Sequence, residues 1–327
     1  MNKLINELND VLNAFGLTGI KNASRINSGH INQTFLVSLK DKEYVVQRIN
    51  GRLFTRPENI MMNIDLVCRH IRYPIRFLYS GGKNYIYHND SLWRIYEYFP
   101  DSVSFDVLEE RGYIFEFGRI LGRFHTDTGK MDINEFNIII EDFHNTKKRI
   151  DKLISLTDLP CDMKLRYKNM SRYADRLGVK NLPLKITHND VKCSNVLFHT
   201  ITGKALALID LDTVMPGYYV YDMGDGIRSA CVHDSSIDMN RLTAFCRGYF
   251  SAYSGNDPPM AEDIFLGIVC VTAELSARYL YDSLSGENYF SDKTEKQKAD
   301  RGERLLLLAE NTANNEEAVI KAIEAGF

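Results

Sequence analysis

Leu4, Ile5, Leu8, Val11, Leu12 and Phe15 recur at helical spacing and the pattern stops at Gly16, which predicts an amphipathic helix at the start of the chain. The period then shortens to that of strands. Short strand-like runs at 26–28, 34–39 and 44–49 are joined by polar turns at 29–32 and 40–42, the pattern of a three-stranded antiparallel meander. Pro57 opens a second helical period through His70, with Ile60, Met61, Ile64 and Val67 on one side. Proline suits the first helical turn, where its missing N–H would have had no partner. Strand-like runs at 85–88 and 92–99, parted by Asn89-Asp90-Ser91, complete a small α+β unit that ends near Pro100 and Asp101.

From Ser104 onward the chain changes character. Long helical periods cover 105–126, 141–155, 238–253 and 260–284, and one β-rich island lies at 184–212. The polar stretch 311–317 reads as a loop between the last two helices. The expected organisation is therefore α+β, with an N-terminal lobe over 1–100 and a larger, mostly helical lobe over 101–327.

Composition narrows the classes. With 327 residues, 44% of them apolar, the chain can fill one large domain or two lobes. Forty basic against 43 acidic residues, a net charge of −3, give no basic surface for nucleic acid. The six cysteines are scattered without a close pair for zinc or redox chemistry, as expected of a protein in a reducing cytoplasm. Residues 1–10 interleave polar groups and lack the apolar core of a signal peptide, and no uninterrupted apolar run nears the roughly 20 residues that span a bilayer. A soluble cytoplasmic protein with no membrane partner is expected.

The chemistry concentrates in the β-rich island. His188, Asp190 and Asn195 stand in the spacing H-x-D-x-x-x-x-N between two apolar runs. Phosphoryl transfer needs a carboxylate to orient and deprotonate the attacking hydroxyl, and a neutral oxygen ligand for Mg²⁺ nearby. Asp190 and Asn195 suit those tasks. The apolar run 205–209 then ends in Asp210-Leu211-Asp212, and strand alternation would set both carboxylates on one side as hard oxygen ligands. Each residue alone has a plainer use, as a satisfied buried pair or a turn former. Their order together favours chemistry.

At these residues the chain resembles the aminoglycoside phosphotransferase and choline kinase superfamily over nearly its whole length. The resemblance implies a protein-kinase-like two-lobed fold, ATP and Mg²⁺ as cofactors, Asp190 as catalytic base, Asn195 and Asp210 as Mg²⁺ ligands, and Asp212 as a second-metal or water-mediated ligand. His188 would brace the loop. The nucleotide would belong to the N-terminal lobe. There the turn with Gly29, His30, Asn32 and Thr34 offers backbone N–H groups to phosphate, or serves as an ordinary turn. No G-x-x-x-x-G-K-[ST] is present, which disfavours a P-loop kinase. Arg48 stands where protein kinases carry a phosphate-binding lysine, with Glu58 or Asp65 as its acidic partner. The backbone from Glu97 to Phe99 would pair with adenine.

Several segments are similar to the N-acetylhexosamine 1-kinases and related anomeric sugar kinases: 26–32, 46–50, 209–217, 221–225 and 278–290. That resemblance implies a small-molecule sugar substrate, with Arg278 and Tyr289 as sugar contacts. Asp222 and Asp225 would brace the catalytic loop and Arg228 would enter an internal ion pair. A kinase for another small hydroxylated metabolite, choline-like or an aminoglycoside, and a non-catalytic nucleotide-binding pseudokinase are the alternatives.

Overall fold

The computed structural model describes residues 2–26, 32–51, 54–178 and 182–327. The chain divides into two compact units, Met1–Ser102 with Phe136–Ile139, and Val103–Glu135 with Ile140–Phe327. The first is a small antiparallel sheet with helices, the second is mostly helical, and the fold is mixed α+β.

In the first unit, β1 (Asn22–Ile26), β2 (Gln33–Ser38), β3 (Glu43–Arg48), β4 (Ile86–His88) and β5 (Ser91–Glu97) form an antiparallel sheet in the order β1-β2-β3-β5-β4. The predicted meander is its first three strands, which start four, one and one residues earlier than the strand-like runs suggest. Part of the first predicted run, together with Gly29 and His30, lies outside the described residues. Alternation splits the sheet into two faces. Phe35, Val37, Tyr44, Val46, Trp93 and Ile95 lie on one, packed against Leu8, Val11 and Leu12 of α1 (Asn2–Ala14). The other face carries Gln47 and the buried Arg94, whose Nη1 approaches the Met61 sulfur of α2 (Pro57–Cys68) at 3.7 Å. Asn63 of α2 holds the short segment Phe136–Ile139 to this unit: its Nδ2 donates to the Asn137 carbonyl at 2.8 Å and its Oδ1 accepts the Asn137 N–H at 2.9 Å.

The second unit is built on α3 (Arg111–Thr128), α4 (Thr146–Ile154), α5 (Cys161–Gly178), α6 (Tyr219–Ala230), α7 (Met239–Ala252), α8 (Ala261–Ser285), α9 (Glu295–Asn314) and α10 (Glu316–Glu324). Helices α3 and α7 cross at backbone contact. A Cβ on Gly118 would lie 2.0 Å from the Phe245 carbonyl oxygen, one on Gly122 2.3 Å from that of Tyr249, and one on Gly248 1.9 Å from that of Phe115. No larger side chain fits those three positions without parting the helices. Helix α8 is long and apolar enough to cross a bilayer by length and composition, but 78% of its most apolar window is buried within this unit. It is a core helix, buried all round rather than on one stripe.

Four sequence expectations need correction. The period at 105–126 becomes helix only at Arg111, and that at 141–155 only at Thr146, where the Asn145 side chain caps the helix by accepting the Lys148 N–H at 3.0 Å. The stretch 311–317 is not a loop: α9 runs to Asn314 and α10 starts at Glu316. Its polar groups are satisfied in place, Thr312 by the Leu308 carbonyl at 2.8 Å and Asn311 by that of Ser235 at 2.9 Å. Helices α5 and α6 were not anticipated. In α5 the buried positions Met163, Tyr167, Met170 and Leu177 are thinly spread among charged residues, and α6 carries Gly224 and Gly226.

Candidate active site

Strand β6 (Lys185–Thr187) pairs antiparallel with β9 (Met215–Gly217), Thr187 opposite Met215. The chain leaves the strand at His188 because a buried carboxylate takes the next two amides. Asp222 of α6 accepts the His188 N–H through Oδ2 and the Asn189 N–H through Oδ1, both at 2.7 Å. His125 of α3 adds a third bond, Nε2 to Asp222 Oδ2 at 3.0 Å, while its Nδ1 accepts the Tyr249 hydroxyl at 2.9 Å. The imidazole is thus neutral with its proton on Nε2, consistent with burial pushing its pKa down. Burial also opposes ionisation of Asp222, but the hydrogen bonds from His125 and from the His188 amide outweigh it and hold the carboxyl below its usual range.

Asn189 has φ 65°, a left-handed conformation that asparagine tolerates better than most residues. Its side chain locks the bend, Nδ2 donating to the Thr213 carbonyl at 2.9 Å and Oδ1 accepting the Thr187 hydroxyl at 3.0 Å. His188 ties the loop to the following strand. Its Nδ1 accepts the Asp190 N–H at 3.3 Å and its Nε2 donates to the Ile209 carbonyl at 3.0 Å.

Asp190 emerges half-buried between two donors. Lys192 Nζ lies 2.7 Å from its Oδ2, and Asn195 Nδ2 donates to the same oxygen at 3.1 Å and to the Asp190 carbonyl at 2.9 Å. Burial favours the neutral acid, but the Lys192 charge and hydrogen bond, with His188 and Asn195, hold the Asp190 carboxyl below its ordinary range. In the same contact Lys192 is held charged, its pKa raised by Asp190 and then Asp210 against the opposing effect of burial.

Asn195 closes the 3₁₀ turn Cys193–Asn195 before β7 (Val196–His199), which pairs with β8 (Ala205–Leu208). The Ile209 N–H donates to the Asn195 carbonyl at 2.9 Å, which brings Asp210 next to Asn195. Here the structure corrects the alternation argument. Strand β8 ends at Leu208, Asp210 is left-handed with φ 63°, and Leu211–Thr213 form a 3₁₀ turn. Asp210 and Asp212 are not successive positions on one strand face. Asp212 is buried at 4% exposure, whereas Asp210 is half-buried.

Two more buried groups support the loop. Asp225 and Arg228 pair on α6, Nη2 to Oδ1 at 2.7 Å. Burial first, and the Asp190 charge next, push the Asp225 carboxyl up against the pull of Arg228. His144 lies with its Nε2 3.2 Å from the Asn189 carbonyl and its Nδ1 3.5 Å from buried Glu274 of α8. Burial would lower the His144 pKa, but Glu274 more than offsets it and the pKa is raised.

The donor set fits a nucleotide-bound Mg²⁺ rather than an all-protein metal cage. The Asn195 amide nitrogen is spent on Asp190, which leaves its carbonyl oxygen to face a cation, and Asp210 supplies a carboxylate beside it. Among the described residues no three His, Cys, Asp or Glu side chains converge as a metal site. One or two protein oxygens with phosphate and water making up the rest is the usual Mg²⁺ arrangement.

The candidates in the first unit are placed as follows. Arg48 donates from Nε to the Ser91 hydroxyl at 2.8 Å and lies over the Trp93 ring at 5.9 Å, on the sheet face that packs against α1. Neither Glu58 nor Asp65 of α2 is its partner: Glu58 accepts the Tyr87 hydroxyl, and Asp65 accepts Arg69 and the Tyr79 hydroxyl. The cation on the α2 face is Arg94, 2% exposed, with Nε bonded to Gln47 at 2.9 Å. Asn32 accepts the Asn50 N–H at 3.0 Å and Thr34 accepts Gln47 Nε2 at 3.0 Å. At 97–99, the Glu97 N–H donates to the Arg76 carbonyl at 3.0 Å and that of Tyr98 to Glu43 at 3.0 Å. Among the described residues the Phe99 N–H has no such backbone partner.

Arg278 and Tyr289 come together in the second unit. The Arg278 guanidinium lies 4.9 Å from the Tyr289 ring, 5.6 Å from Phe143 and 5.8 Å from Phe290. Sequence reasoning missed Lys192, His125, His144 and Arg94. Lys192 was legible, two residues after Asp190 within the motif. His125 and Arg94 sit in apolar periods and His144 in a polar turn, and nothing local marks a buried polar role at any of the three.

The chain belongs to the phosphotransferase enzyme family, APH, whose model matches residues 22–262. The match takes in the loop 188–195, Asp210 and Asp222 and ends before Arg278. A stretch of 98 residues is 33% identical to an uncharacterized kinase-like protein of Caenorhabditis elegans. It covers 27% of this chain and 24% of that protein, so the chain spans about a quarter of that relative's length. Among solved structures, the choline kinase LicA of Streptococcus pneumoniae superposes with a TM-score of 0.65 at 15% identity, covering 94% of this chain and 98% of that one. A choline/ethanolamine kinase family protein of Mesorhizobium loti reaches 0.67 at 14% identity over 98% of both chains. A microcompartment-associated aminopropanol kinase reaches 0.69 at 13%, over 96% and 98%. At these identities the likeness establishes the fold, which is that of the kinase-like APH and choline kinase proteins.

Proposed function

We propose that the protein transfers the γ-phosphoryl group of ATP to the anomeric hydroxyl of an N-acetylhexosamine, N-acetylglucosamine or N-acetylgalactosamine, giving the sugar 1-phosphate. The observation that carries the reading is the Asp190 carboxylate, held ionised beside Lys192 and Asn195 on a loop braced by Asp222. In this role Asp190 orients the acceptor hydroxyl and takes its proton, and Lys192 offsets negative charge on the transferred group. Asn195 and Asp210 would hold Mg²⁺, with Asp212 behind them, and the ion when bound neutralises phosphate charge. Asn32, Thr34, Arg48, Glu97 and Phe99, with Gly29 and His30, are the proposed nucleotide contacts of the first unit.

A carboxylate held below its ordinary pKa is a weak base, best matched to the most acidic hydroxyl of a sugar, the anomeric one. Arg278 and Tyr289 are the proposed acceptor contacts, one giving fixed N–H donors and the other a ring with a hydroxyl. The similar structures include a choline kinase and an aminopropanol kinase, so an amino alcohol is the competing acceptor. Against a quaternary ammonium at this place, the rings of Phe143, Tyr289 and Phe290 already face the Arg278 guanidinium. A second cation there would meet like charge.

The test is ADP release with a panel of amino sugars, plain hexoses, choline, aminopropanol and an aminoglycoside, followed by phosphorus NMR of each product. A sugar 1-phosphate is expected from the N-acetylhexosamines. Phosphate on a primary hydroxyl, or turnover restricted to the amines, would overturn the sugar reading and leave the kinase reading standing.

A further inference from the structure

Helix α8 ends at Gly286, left-handed with φ 71°, and the chain crosses to α9 through a short loop in which Asn288 is also left-handed, φ 58°. Two consecutive amides of the loop are held from beneath by one side chain of the last turn of α8. Asp282 accepts the Tyr289 N–H through Oδ1 at 2.7 Å and the Phe290 N–H through Oδ2 at 2.9 Å. Its counter-ion is Lys298 of α9, Nζ to Oδ2 at 3.1 Å, with side-chain exposures of 0% for the lysine and 3% for the aspartate. Lys298 also reaches Glu295 at 3.0 Å and the Asn288 side-chain oxygen Oδ1 at 3.5 Å.

A buried ion pair is a poor way to stabilise a fold, since apolar side chains of similar volume commonly do as well or better. What this pair fixes is geometry. By pinning two consecutive amides it sets the Tyr289 ring against Arg278 at 4.9 Å and stacks Phe290 on Tyr279 at 3.8 Å. The Arg278 guanidinium takes no carboxylate or carbonyl partner among the described residues and has rings on three sides. Its N–H groups are therefore left for an oxygen acceptor on a ligand. Arg278 lies one helical turn from Glu274, which meets His144 below the catalytic loop.

We infer that Asp282 and Lys298 are positioning residues for the acceptor: they hold the 286–290 loop so that Tyr289 and Phe290 wall the Arg278 guanidinium and set acceptor affinity. This rests on the reading of Arg278 and Tyr289 as acceptor contacts. Neither residue touches the acceptor itself. Its specificity is set through the loop, and neutral polyols with an oxygen for Arg278 and a face for Tyr289 are the class it takes.

The test compares wild type with Asp282→Asn, Lys298→Met and Arg278→Ala, using N-acetylglucosamine as acceptor. Asparagine keeps one acceptor oxygen where two amides need accepting, and methionine keeps the volume of the lysine stem without its charge. Expected for both latch variants are a roughly tenfold rise in acceptor KM, a KM for ATP within about twofold, and faster amide exchange confined to Tyr289 and Phe290. Lys298→Arg, which restores the cation, should recover part of the acceptor KM. Faster exchange with an unchanged acceptor KM would show a loop clasp without a role in specificity and overturn the inference. So would unchanged exchange. If Arg278→Ala raises acceptor KM while the latch variants do not, the latch fails alone. If Arg278→Ala is also without effect, or wild type does not use the sugar, the acceptor reading beneath it fails as well.

Discussion

Lys192 holds its ammonium 2.7 Å from the Asp190 carboxylate, on the oxygen that also receives the Asn195 amide. Its removal should relax the depression of the Asp190 pKa. Lys192→Met is expected to move the acid limb of kcat/KM to higher pH and to lower kcat about tenfold or more. A pH–rate profile superimposable on wild type would separate Lys192 from Asp190.

Asp190→Asn keeps the shape of the loop and removes the base. Turnover should fall by roughly 10²–10⁴ while ATP affinity stays within a few-fold, because proton removal and orientation act on the transition state. Steady-state kinetics with nucleotide binding by calorimetry measures both, and near-normal turnover would take Asp190 out of its role.

Asp210 is left-handed and half-buried, and Asp212 is buried in the turn after it. Asparagine tolerates the left-handed conformation, so Asp210→Asn should fold normally yet lose Mg²⁺-supported turnover. Asp212→Asn should cost less activity. Mg²⁺ titrations and melting curves of the two variants distinguish these effects, and the reverse ranking would exchange the assignments.

The buried histidines should respond to pH with opposite signs. His125 has its pKa lowered by burial, so the unfolded chain binds the proton first, and stability is lost as pH falls below about 6.5. His144 has its pKa raised by Glu274, so its contribution is full below about 6.5 and is lost as pH rises through the folded value. His125→Gln should flatten the acid side of a Tm-against-pH curve, and His144→Gln the side above it. Removal of either histidine with no change on its side of the curve would refute the corresponding assignment.

Arg48 and Arg94 lie on opposite faces of the first unit's sheet. Arg48→Ala should raise the KM for ATP several-fold with little change in Tm, in keeping with its proposed phosphate contact, whereas Arg94→Met should chiefly lower Tm by disturbing a buried bond. Unchanged ATP kinetics in Arg48→Ala would remove it from the nucleotide site.

The parts of the site that could be read in the sequence are those whose spacing is itself the function. His188, Asp190 and Asn195 lie within one loop, and the meander showed in its period of two. What escaped were groups joined across long separations. Asp222, expected from the resemblance to brace the loop, meets its amides from 33 and 34 residues away, but His125, which meets Asp222 from 97, and His144, which meets the Asn189 carbonyl from 45, went unseen; no local period encodes such contacts. Asp210 was misjudged for another reason. A run of five apolar residues looks like strand to its end, but a left-handed turn begins at Asp210 and resets the period to three.

The crossing of α3 and α7 has a bearing on how this enzyme can vary. Gly118, Gly122 and Gly248 are each shut against a carbonyl of the opposite helix, and His125 and Tyr249 lie about one turn or less further along the same two helices, joined at 2.9 Å. In a saturation library selected for activity, these three codons should tolerate almost no replacement, although none encodes a group that meets a substrate. Alanine there would wedge the helices apart and slacken the imidazole that steadies Asp222. Lineages free to alter acceptor preference around Arg278 would still inherit this seam unaltered.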